Sequence, residues 1–423
     1  MGEATIDTTD RTAELDGILA TIFLSQDGKQ DPYPGYAAIR EHATGVHESG
    51  FGVKVATRYD DINATLRDNH FGRGDMKLDP SYFGLTQEEF DERFPGERDF
   101  NGSMLAMDPP DHTRLRGLVA KAFTPKTVEQ LRPEIVELTD GFLAPLEGEV
   151  DLMSALALKL PITVISQMLG VPSEDHDALL PHIRVLLGSL ANFGPPDLEK
   201  FAAQYDASSV VGDYFRDLAA DKRKHPDDGM FTALVHAEEE GDKLSETELI
   251  GTVILLFVAG YETTTNLIGN GTRAFLLHPE QLDKLRADRS LMKGAIEEIL
   301  RYDSPVQLTA RRALADGLRV GDTPVANGEE VITILGAANR DPRVYGPDAD
   351  AFDITRKAPP PLSFSAGIHY CLGAALARAE GDIVFDRLLD TFSGIELATD
   401  TLTYRDNLVL RGLESLPVTL TRA

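Results

Sequence analysis

The 423-residue chain has one cysteine and no tryptophan. A single cysteine cannot form an intrachain disulfide, and it excludes a zinc or iron–sulfur site built from several cysteines. Long hydrophobic runs are also missing. The longest near the N-terminus, residues 18–24, is far shorter than the roughly 20 residues that a membrane-spanning helix needs, and it lacks the basic residues of a signal peptide. These absences predict a protein of the reducing cytoplasm with no membrane anchor.

Positive charge is in deficit. The chain has 41 Lys and Arg residues against 69 Asp and Glu residues, a formal net charge of −28. This balance disfavours binding to nucleic acid or to an anionic membrane, because both need basic surfaces. Glycine-rich dinucleotide loops, phosphate loops and the His-Glu-x-x-His zinc motif are absent. The sequence therefore predicts no nucleotide, flavin or reductase module, while 42% hydrophobic residues suffice for a large core.

The one cysteine, Cys371, lies in an unusual stretch, Phe-Ser-Ala-Gly-Ile-His-Tyr-Cys-Leu-Gly, at residues 364–373. Gly367 and Gly373 flank the cysteine, and glycine permits tight turns and close approach to a ligand. Strong helix formers follow from residue 374. Cys371 is thus predicted at a helix N-terminus, where the helix dipole favours a thiolate. The alternative is a buried core thiol, but this setting favours a soft ligand for iron.

A second pattern pairs His112 with Arg116, four residues apart on a predicted helix. Residues at this spacing share one helix face. Two donors on one face can bind carboxylates or phosphates. The alternative is an ordinary solvated helix face.

A third pattern lies inside a long predicted helix. The capping box Ser245-x-x-Glu248 predicts its start, and His278-Pro279 predicts its end. Its centre contains Gly260, the acidic Glu262 and three consecutive threonines from Thr263, all unfavourable in a helix interior. Several broken local rules within six residues indicate a functional site. The alternative is a kinked core helix whose threonines bond to the preceding turn.

These patterns resemble the cytochrome P450 family of haem-thiolate monooxygenases. The family's haem-binding loop, Phe-Gly/Ser-x-Gly-x-His-x-Cys-x-Gly, matches residues 364–373, with Ser365 where glycine is commoner. The family's His-x-x-x-Arg, Ala/Gly-Gly-x-Asp/Glu-Thr and Glu-x-x-Arg motifs match residues 112–116, 259–263 and 298–301 in the same order. The resemblance implies one domain over residues 1–423, mainly α with a smaller β portion. The family fold has the shape of a triangular prism, and haem is expected between its I and L helices. In this sequence they correspond to the long helix from Ser245 to Leu277 and to the helix that starts after Cys371.

The resemblance also implies roles for individual residues. Cys371 is expected to bind the iron of haem b, with Glu262 and Thr263 as the acid and alcohol that deliver protons. The expected haem contacts are His112, Arg116, Ala259, Gly260, Arg311, Phe364, Gly367, His369, Cys371 and Gly373. Both Arg311 and its neighbour Arg312 are candidates for the inward-pointing arginine. Glu298 and Arg301 are expected to form a buried structural pair behind the haem loop.

The implied reaction inserts one oxygen atom from O₂ into a C–H bond or alkene of a hydrophobic small molecule. Electrons are expected from a separate ferredoxin or flavodoxin, docked on a basic patch with Arg114, Lys121 and Arg378 as candidates. The protein is expected to act as a monomer. Expected substrate contacts are Leu255, Val258, Val306, Leu308 and Leu410. A peroxide-driven peroxygenase and a non-catalytic haem sensor or carrier are the alternatives.

Outside these motifs, residues 1–30 are polar and predict a loose N-terminal arm. Residues 406–418 predict a final hairpin whose tip reaches the substrate cavity. A helix over 183–193 is expected to act as a lid over that cavity. Five aromatic residues are candidates to cover the substrate or to anchor a surface loop: Tyr82, Phe83, Phe90, Phe94 and Phe100.

Overall fold

The computed structural model describes residues 8–41, 45–50, 52–74, 79–95, 103–120, 123–189, 197–227, 229–239 and 242–423. Phe100 and Lys121, both singled out above, lie outside these residues. The α-helices of the described chain are α1 (Thr8–Leu24), α2 (Gln26–Gln30), α3 (Tyr33–Arg40), α4 (Tyr59–Arg67), α5 (Gln87–Arg93), α6 (Asp111–Ala120), α7 (Pro125–Leu143), α8 (Lys159–Leu169), α9 (His176–Ser189), α10 (Leu198–Lys224), α11 (Met230–Val235), α12 (Glu246–Leu277), α13 (Pro279–Ala287), α14 (Met292–Tyr302), α15 (Leu335–Ala338), α16 (Pro342–Tyr345) and α17 (Ala374–Thr391).

Strands are fewer and shorter. They are β1 (Val46–Glu48), β2 (Lys54–Ala56), β3 (Phe71–Gly72), β4 (Gly148–Asp151), β5 (Glu238–Glu239), β6 (Asp242–Lys243), β7 (Leu308–Ala313), β8 (Leu318–Val320), β9 (Thr323–Val325), β10 (Glu330–Ile334), β11 (Phe392–Leu397) and β12 (Pro417–Arg422). The largest sheet has the order β1-β2-β10-β7-β3, and a second has the order β11-β12-β4. The prediction of a mainly α fold with a smaller β portion is confirmed.

The central helix α12 begins and ends where the sequence predicts. The Ser245 hydroxyl accepts from the Glu248 amide, and the Glu248 carboxylate accepts from the Ser245 amide, which completes the capping box. Nearly all of α12 is buried, so it forms the middle of the core. No helix among the described residues combines the length and the apolar character needed to cross a membrane.

Helices α12 and α17 pack side by side and run in parallel. A Cβ on Gly381 would lie 3.3 Å from Leu267, and a Cβ on Gly271 would lie 2.7 Å from Phe385. The second contact lies four residues, or about one turn, after the first on both helices, so the two helices run in the same direction. One and two turns earlier, residue 263 is therefore level with residue 377, and residue 259 with residue 373. The unusual centre of α12 and the cysteine stretch consequently lie at the same end of the helix pair.

The N-terminal prediction is wrong for the described residues 8–30, which form α1 and α2 instead of a loose arm. Leu15, Leu19 and Ile22 recur at helical spacing and are buried in the main core. Gln30 bonds to the backbone of Tyr404, which ties this region to the end of the chain. The apolar spacing was present in the sequence but was diluted by many polar neighbours.

The predicted final hairpin over 406–418 is also wrong. Strand β12 pairs instead with β11 and β4. Residues 404–413, here called the C-terminal segment, form a loop closed by a bridge between Tyr404 and Leu413. A second bridge joins Leu410 to Val306. Local alternation could not reveal that the pairing partner of β12 comes earlier in the chain.

Candidate active site

The cysteine loop, residues 364–373, is closed by a hydrogen bond from the Cys371 amide to the Phe364 carbonyl at 2.9 Å. Gly367 has φ +68°, and a Cβ there would lie 2.1 Å from the carbonyl oxygen of Leu66 at the end of α4. Only glycine fits this close contact between two backbones. The loop therefore rests directly on α4. At Gly373, in contrast, a Cβ would meet nothing within 4 Å, so that side of the loop is open.

The Cys371 side chain is exposed, yet burial raises the pKa of its thiol. Both observations hold together if the thiol faces a cleft enclosed by protein. The Gly373 amide, Arg116 and Arg378 oppose the effect of burial on this pKa. The sequence predicted that the helix N-terminus favours a thiolate here. The Gly373 amide at that helix end does favour the thiolate, but in the polypeptide alone burial outweighs it and raises the pKa of the thiol.

The wall opposite the cysteine loop belongs to α12. Ala259 is exposed and Gly260 and Thr263 are half-buried, whereas nearly all other residues between 249 and 275 are buried. The Thr263 hydroxyl donates to the Ala259 carbonyl at 2.8 Å. These three residues share one face of the helix and border the same cleft as Gly373. They are called the helix wall below.

Gly260 also has a packing reason to lack a side chain. A Cβ there would lie 3.3–3.4 Å from Ile165 of α8, tighter than most such contacts. The glycine thus permits the close packing of α8 on α12. Room for a small ligand at this position remains a prediction of the resemblance.

Glu262 lies beside the helix wall but points away from it. Its carboxylate pairs with Arg405 of the C-terminal segment at 3.2 Å. Burial raises the pKa of Glu262, while Arg405 and, more weakly, Arg184 of α9 lower it. The acid and the alcohol predicted to act together therefore occupy adjacent faces of α12.

Five donor groups, called the donor cluster below, lie together on the other side of the cysteine loop: His112, His369, Arg73, Arg116 and Arg311. The rings of His112 and His369 are 4.3 Å apart. Burial, together with Arg311, Arg73, His112 and Arg116, lowers the pKa of His369 to about 2. Both ring nitrogens of His112 and the Nε2 of His369 are buried without a hydrogen-bond partner in the described chain.

This donor cluster has no ion-paired counter-charge in the described chain. The Asp108 carboxylate acts to raise the pKa values of Arg73, His112 and Arg311, but within the described ranges no ion pair joins Arg73, Arg116 or Arg311 to a carboxylate. Burial and Arg73 outweigh Asp108 and lower the pKa of Arg311 to about 9. Buried donors without partners and mutually repelling cations favour a further anion. The cluster therefore has the composition of a binding place for carboxylates, provided by a molecule other than the chain.

Arg73 is the member of the cluster that sequence reasoning missed. Strands β3 and β7 pair Phe71 with Ala313 and Gly72 with Arg312, and this register places residue 73 opposite Arg311. The Asp108 carboxylate accepts from the Arg73 amide at 2.8 Å, which ties β3 to the start of α6. No local motif marks this arginine, because its place depends on strand pairing between distant segments.

The structure decides between Arg311 and Arg312. Arg311 is 2% exposed and belongs to the donor cluster. Arg312 points to the other face of β7, where it donates to the Gly328 carbonyl at 2.8 Å. Alternation along a strand explains the difference.

Glu298 and Arg301 form the predicted buried pair. Two bonds join them, at 2.7 and 2.8 Å. Arg301 also donates to the Asn339 carbonyl at 2.9 Å, and the Asn339 side chain accepts from the Leu362 amide at 2.7 Å. This network therefore supports the cysteine loop from behind. Arg356, which also contacts Glu298 at 3.4 Å, was missed because nothing local marks it.

The predicted substrate contacts divide into two groups. Val306 is half-buried and forms the bridge with Leu410, and Leu255 lies one turn before Ala259 on the helix wall side. Val258 and Leu308 are 1% and 2% exposed, and they pack in the core. These two present almost no surface to the cleft, and Leu255 and Leu410, at 8% and 4% exposed, belong to the same buried cluster.

The aromatic residues before α6 contact α10, the helix that follows the predicted lid in the chain. Phe83, Phe90 and Phe94 all pack on Phe201 of α10, with ring centroids 4.8–5.4 Å from it. Tyr82 is exposed. The predicted lid helix corresponds to the end of α9, and its expected last residues lie outside the described chain.

The candidates for a basic patch are less available than the sequence suggested. Arg114 bonds to Glu248 of α12, and Arg378 bonds to Glu297 at 2.5 Å and 3.2 Å. Both charges are largely neutralised by neighbouring carboxylates. Arg116, which donates to the Tyr370 carbonyl, retains no carboxylate partner in the described chain.

Comparison with known proteins agrees with this geometry. A family model described as cytochrome P450 matches residues 195–411. Cytochrome P450 107B1 of Saccharopolyspora erythraea is 44% identical over 92% of this chain and 95% of its own length. The chain belongs to the cytochrome P450 family.

Other cytochromes P450 are similar in sequence and structure. Vitamin D(3) 25-hydroxylase of Pseudonocardia autotrophica is 39% identical over 92% of this chain and 94% of its own length. The crystal structure of CYP164A2 from Mycobacterium smegmatis with econazole bound has a TM-score of 0.86 and 36% identity, covering 96% of this chain and all of that one. P450BioI in complex with a fatty-acyl carrier protein has a TM-score of 0.83 and 35% identity, covering 93% of this chain and all of that one.

The chain is accordingly a cytochrome P450 monooxygenase, and the cofactor of this family is haem b. The residues present fit that group. Haem b carries two propionate carboxylates, whose negative charge is complementary to the arginines and histidines of the donor cluster. The open side of Gly373 and the accessible thiol of Cys371 fit a flat cofactor lying between the cysteine loop and the helix wall.

Proposed function

We propose that this cytochrome P450 binds haem b through Cys371 and transfers one oxygen atom from O₂ to a C–H bond or alkene of a hydrophobic small molecule. Bound haem supplies the iron at which O₂ is reduced. The observation that carries the proposal is the cleft itself. It has one accessible cysteine on one wall, a threonine on the other, and at its side a donor cluster whose arginines form no ion pair with a carboxylate among the described residues.

The chain's residues have separate tasks in this proposal. Cys371 holds the iron, and the Gly373 amide stabilises charge on its sulfur. His112, Arg116, Arg311 and His369 bind the propionates, and Arg73 is added to this set on the basis of its place in the donor cluster. Thr263 holds a proton at its hydroxyl on the cleft face, and Glu262 supplies protons from behind it.

The substrate is proposed to be hydrophobic, because Ala259 of the helix wall, Leu255 one turn before it, and the bridged pair of Val306 and Leu410 are all apolar. Relatives include proteins named for vitamin D(3) hydroxylation and for polyketide biosynthesis, which supports an apolar substrate. Electrons are proposed to come from a separate ferredoxin or flavodoxin. Residues 1–423 are proposed to form one catalytic domain, since the main buried cluster extends from Leu15 to Leu420.

The test is the Soret band of the reduced carbon monoxide complex. We expect the strongly red-shifted band of thiolate ligation in the parent protein and its loss in Cys371→Ser. Tyr370→Phe is the matched control, because it changes the adjacent exposed residue and leaves the thiol in place; it should keep the red-shifted band. A band typical of histidine ligation in the parent protein would overturn the axial assignment.

A further inference from the structure

Arg378 lies in the second turn of α17, seven residues after Cys371. It belongs neither to the donor cluster nor to the helix wall. Its guanidinium carbon is 4.4 Å from the centre of the Phe364 ring, within the range of a cation–π contact. The same guanidinium donates to the Tyr370 hydroxyl at 3.1 Å. Arg378 thus contacts the first residue of the cysteine loop and the residue directly before the cysteine.

These contacts bring the positive charge of Arg378 close to the sulfur. The Cys371 amide donates to the Phe364 carbonyl, so the cysteine and the start of its loop are held together. Among the described residues, the cations that lower the pKa of the Cys371 thiol are Arg116 and Arg378. Arg116 belongs to the donor cluster, where a propionate is proposed to take up its charge. Arg378 is therefore the cation that remains available to the sulfur.

Glu297 of α14 opposes this positive charge. Its carboxylate accepts from the Arg378 Nε at 2.5 Å and from the Nη2 at 3.2 Å, which makes the pair bidentate. The side chains of both residues are 29% exposed, so solvent screens the pair only in part. The next acid in the chain, Glu298, lies instead in the buried network with Arg301. The charge beside the sulfur is consequently that of Arg378 reduced by Glu297.

We propose that Arg378 is a positioning residue that supports the negative charge of the Cys371 sulfur, and that Glu297 limits this support, so that the pair sets how readily the bound haem accepts an electron. The inference rests on the proposed function, because it requires Cys371 to bind the iron. It goes beyond that function in giving a task to two residues that contact neither the cleft nor the donor cluster. They are 81 positions apart in the chain, so the pair forms only in the folded protein.

The direction of the effect follows from charge. Reduction adds one electron, supplied by the proposed ferredoxin or flavodoxin, and makes the region of the sulfur more negative. A nearby cation stabilises the reduced form, and a nearby anion destabilises it. Loss of the Arg378 guanidinium therefore disfavours reduction, whereas loss of the Glu297 charge leaves Arg378 unopposed and favours reduction. Both changes break the same ion pair, so a purely structural role of the pair predicts the same response to each.

The test compares four variants of the haem-loaded protein without substrate at low ionic strength: Arg378→Met, Arg378→Lys, Glu297→Gln and Arg387→Met. Arg387 is the matched control, because it lies nine residues further along α17 and forms a bidentate pair with Asp140, at 2.6 and 3.0 Å. A redox dye holds the solution at one potential, and the absorption spectrum gives the ratio of reduced to oxidised haem. Arg378→Lys keeps the positive charge but loses the bidentate geometry.

We expect the ratio of reduced to oxidised haem to fall several-fold in Arg378→Met and to rise several-fold in Glu297→Gln. Arg378→Lys and Arg387→Met should match the parent protein. The C–O stretching frequency of the reduced carbon monoxide complex is a second readout. A sulfur with less support for its charge donates more electron density to the iron and the bound carbon monoxide, which lowers this frequency. We expect a lower frequency in Arg378→Met and a higher one in Glu297→Gln.

Shifts of Arg378→Met and Glu297→Gln in the same direction, or no shift in either variant, would overturn the inference and leave the monooxygenase assignment intact. If Arg378→Met does not bind haem, Glu297→Gln decides by itself, because a ratio of reduced to oxidised haem at or below that of the parent would overturn the inference. A parent protein without the red-shifted band of thiolate ligation would instead overturn the proposed function, and this inference with it.

Discussion

The two sides of the cleft differ in whether their buried charged side chains are paired. Beside the cysteine loop, Arg73, Arg311 and His369 lie together without an ion-paired carboxylate in the described chain. Behind the helix wall, Glu262 is paired with Arg405. Unpaired donors mark the place of a group that the chain does not encode, whereas a paired acid marks a side chain that the protein itself positions.

The largest expected effect on stability comes from the Glu298–Arg301 network behind the cysteine loop, where the buried charges are paired. Glu298→Gln leaves the buried guanidinium of Arg301 without its anion, while Arg356 keeps Asp348, and we expect a loss of about 3–5 kcal/mol of stability. The measurement is the urea midpoint of unfolding. Asp140→Asn removes one of the two carboxylates that pair with the half-buried Arg387, which keeps Asp390, and should cost at most about 1 kcal/mol. Equal shifts in the two variants would show that the Glu298 network is not a special support.

An intermediate effect of opposite sign is expected in the donor cluster. Arg311→Met removes one of the repelling buried cations, so the haem-free protein should become more stable, by about 1 kcal/mol. Haem should bind about tenfold more weakly, because a propionate loses its partner. Urea unfolding without haem and the rate of haem transfer to an acceptor protein measure the two effects.

Arg312→Met is the control for this comparison, because Arg312 lies on the other face of the same strand. It should change both quantities little, within about 0.5 kcal/mol. If Arg311→Met destabilises the haem-free protein, the cations of the cluster do not repel one another and the contrast between the two sides of the cleft fails.

The smallest expected effect concerns a strained residue within the cysteine loop. Ser365 has φ +61° and ψ −164°, a conformation that glycine adopts readily and other residues rarely do. Ser365→Gly should therefore stabilise the protein, by about 1 kcal/mol. Ser365→Ala retains the Cβ and should show no such gain. A thermal unfolding midpoint that rises equally in both variants would contradict the strain.

Much of the site could be predicted from local sequence. The capping box of α12, the loop around Cys371, the Glu298–Arg301 pair and the proximity of His112 to Arg116 all depend on residues within a few positions of one another. Local spacing fixes such features through helix periodicity and backbone conformation. The loose N-terminal arm was wrong although its apolar spacing was visible, because polar residues between Leu15 and Ile22 obscured it.

The residues that sequence reasoning missed share a different property. Arg73, Arg356 and Arg405 each act on a partner more than 50 residues away along the chain. Arg73 reaches its place through the pairing of β3 with β7, and Arg405 through the path of the C-terminal segment over α12. Side-chain charge alone does not reveal such contacts, since most arginines of a sequence lie on solvated surfaces.

By itself, the sequence determined which residues have the chemistry of the site: one thiol, an acid next to an alcohol in a weak stretch of helix, and glycine where backbones meet. Only the tertiary structure decided which charges are paired and which are not. It buried the Cys371 thiol enough to raise its pKa, left the arginines of the donor cluster without an ion-paired carboxylate among the described residues, and gave Glu262 a guanidinium from near the end of the sequence. Burial and distance set these energies, and both depend on segments that meet only in the folded protein.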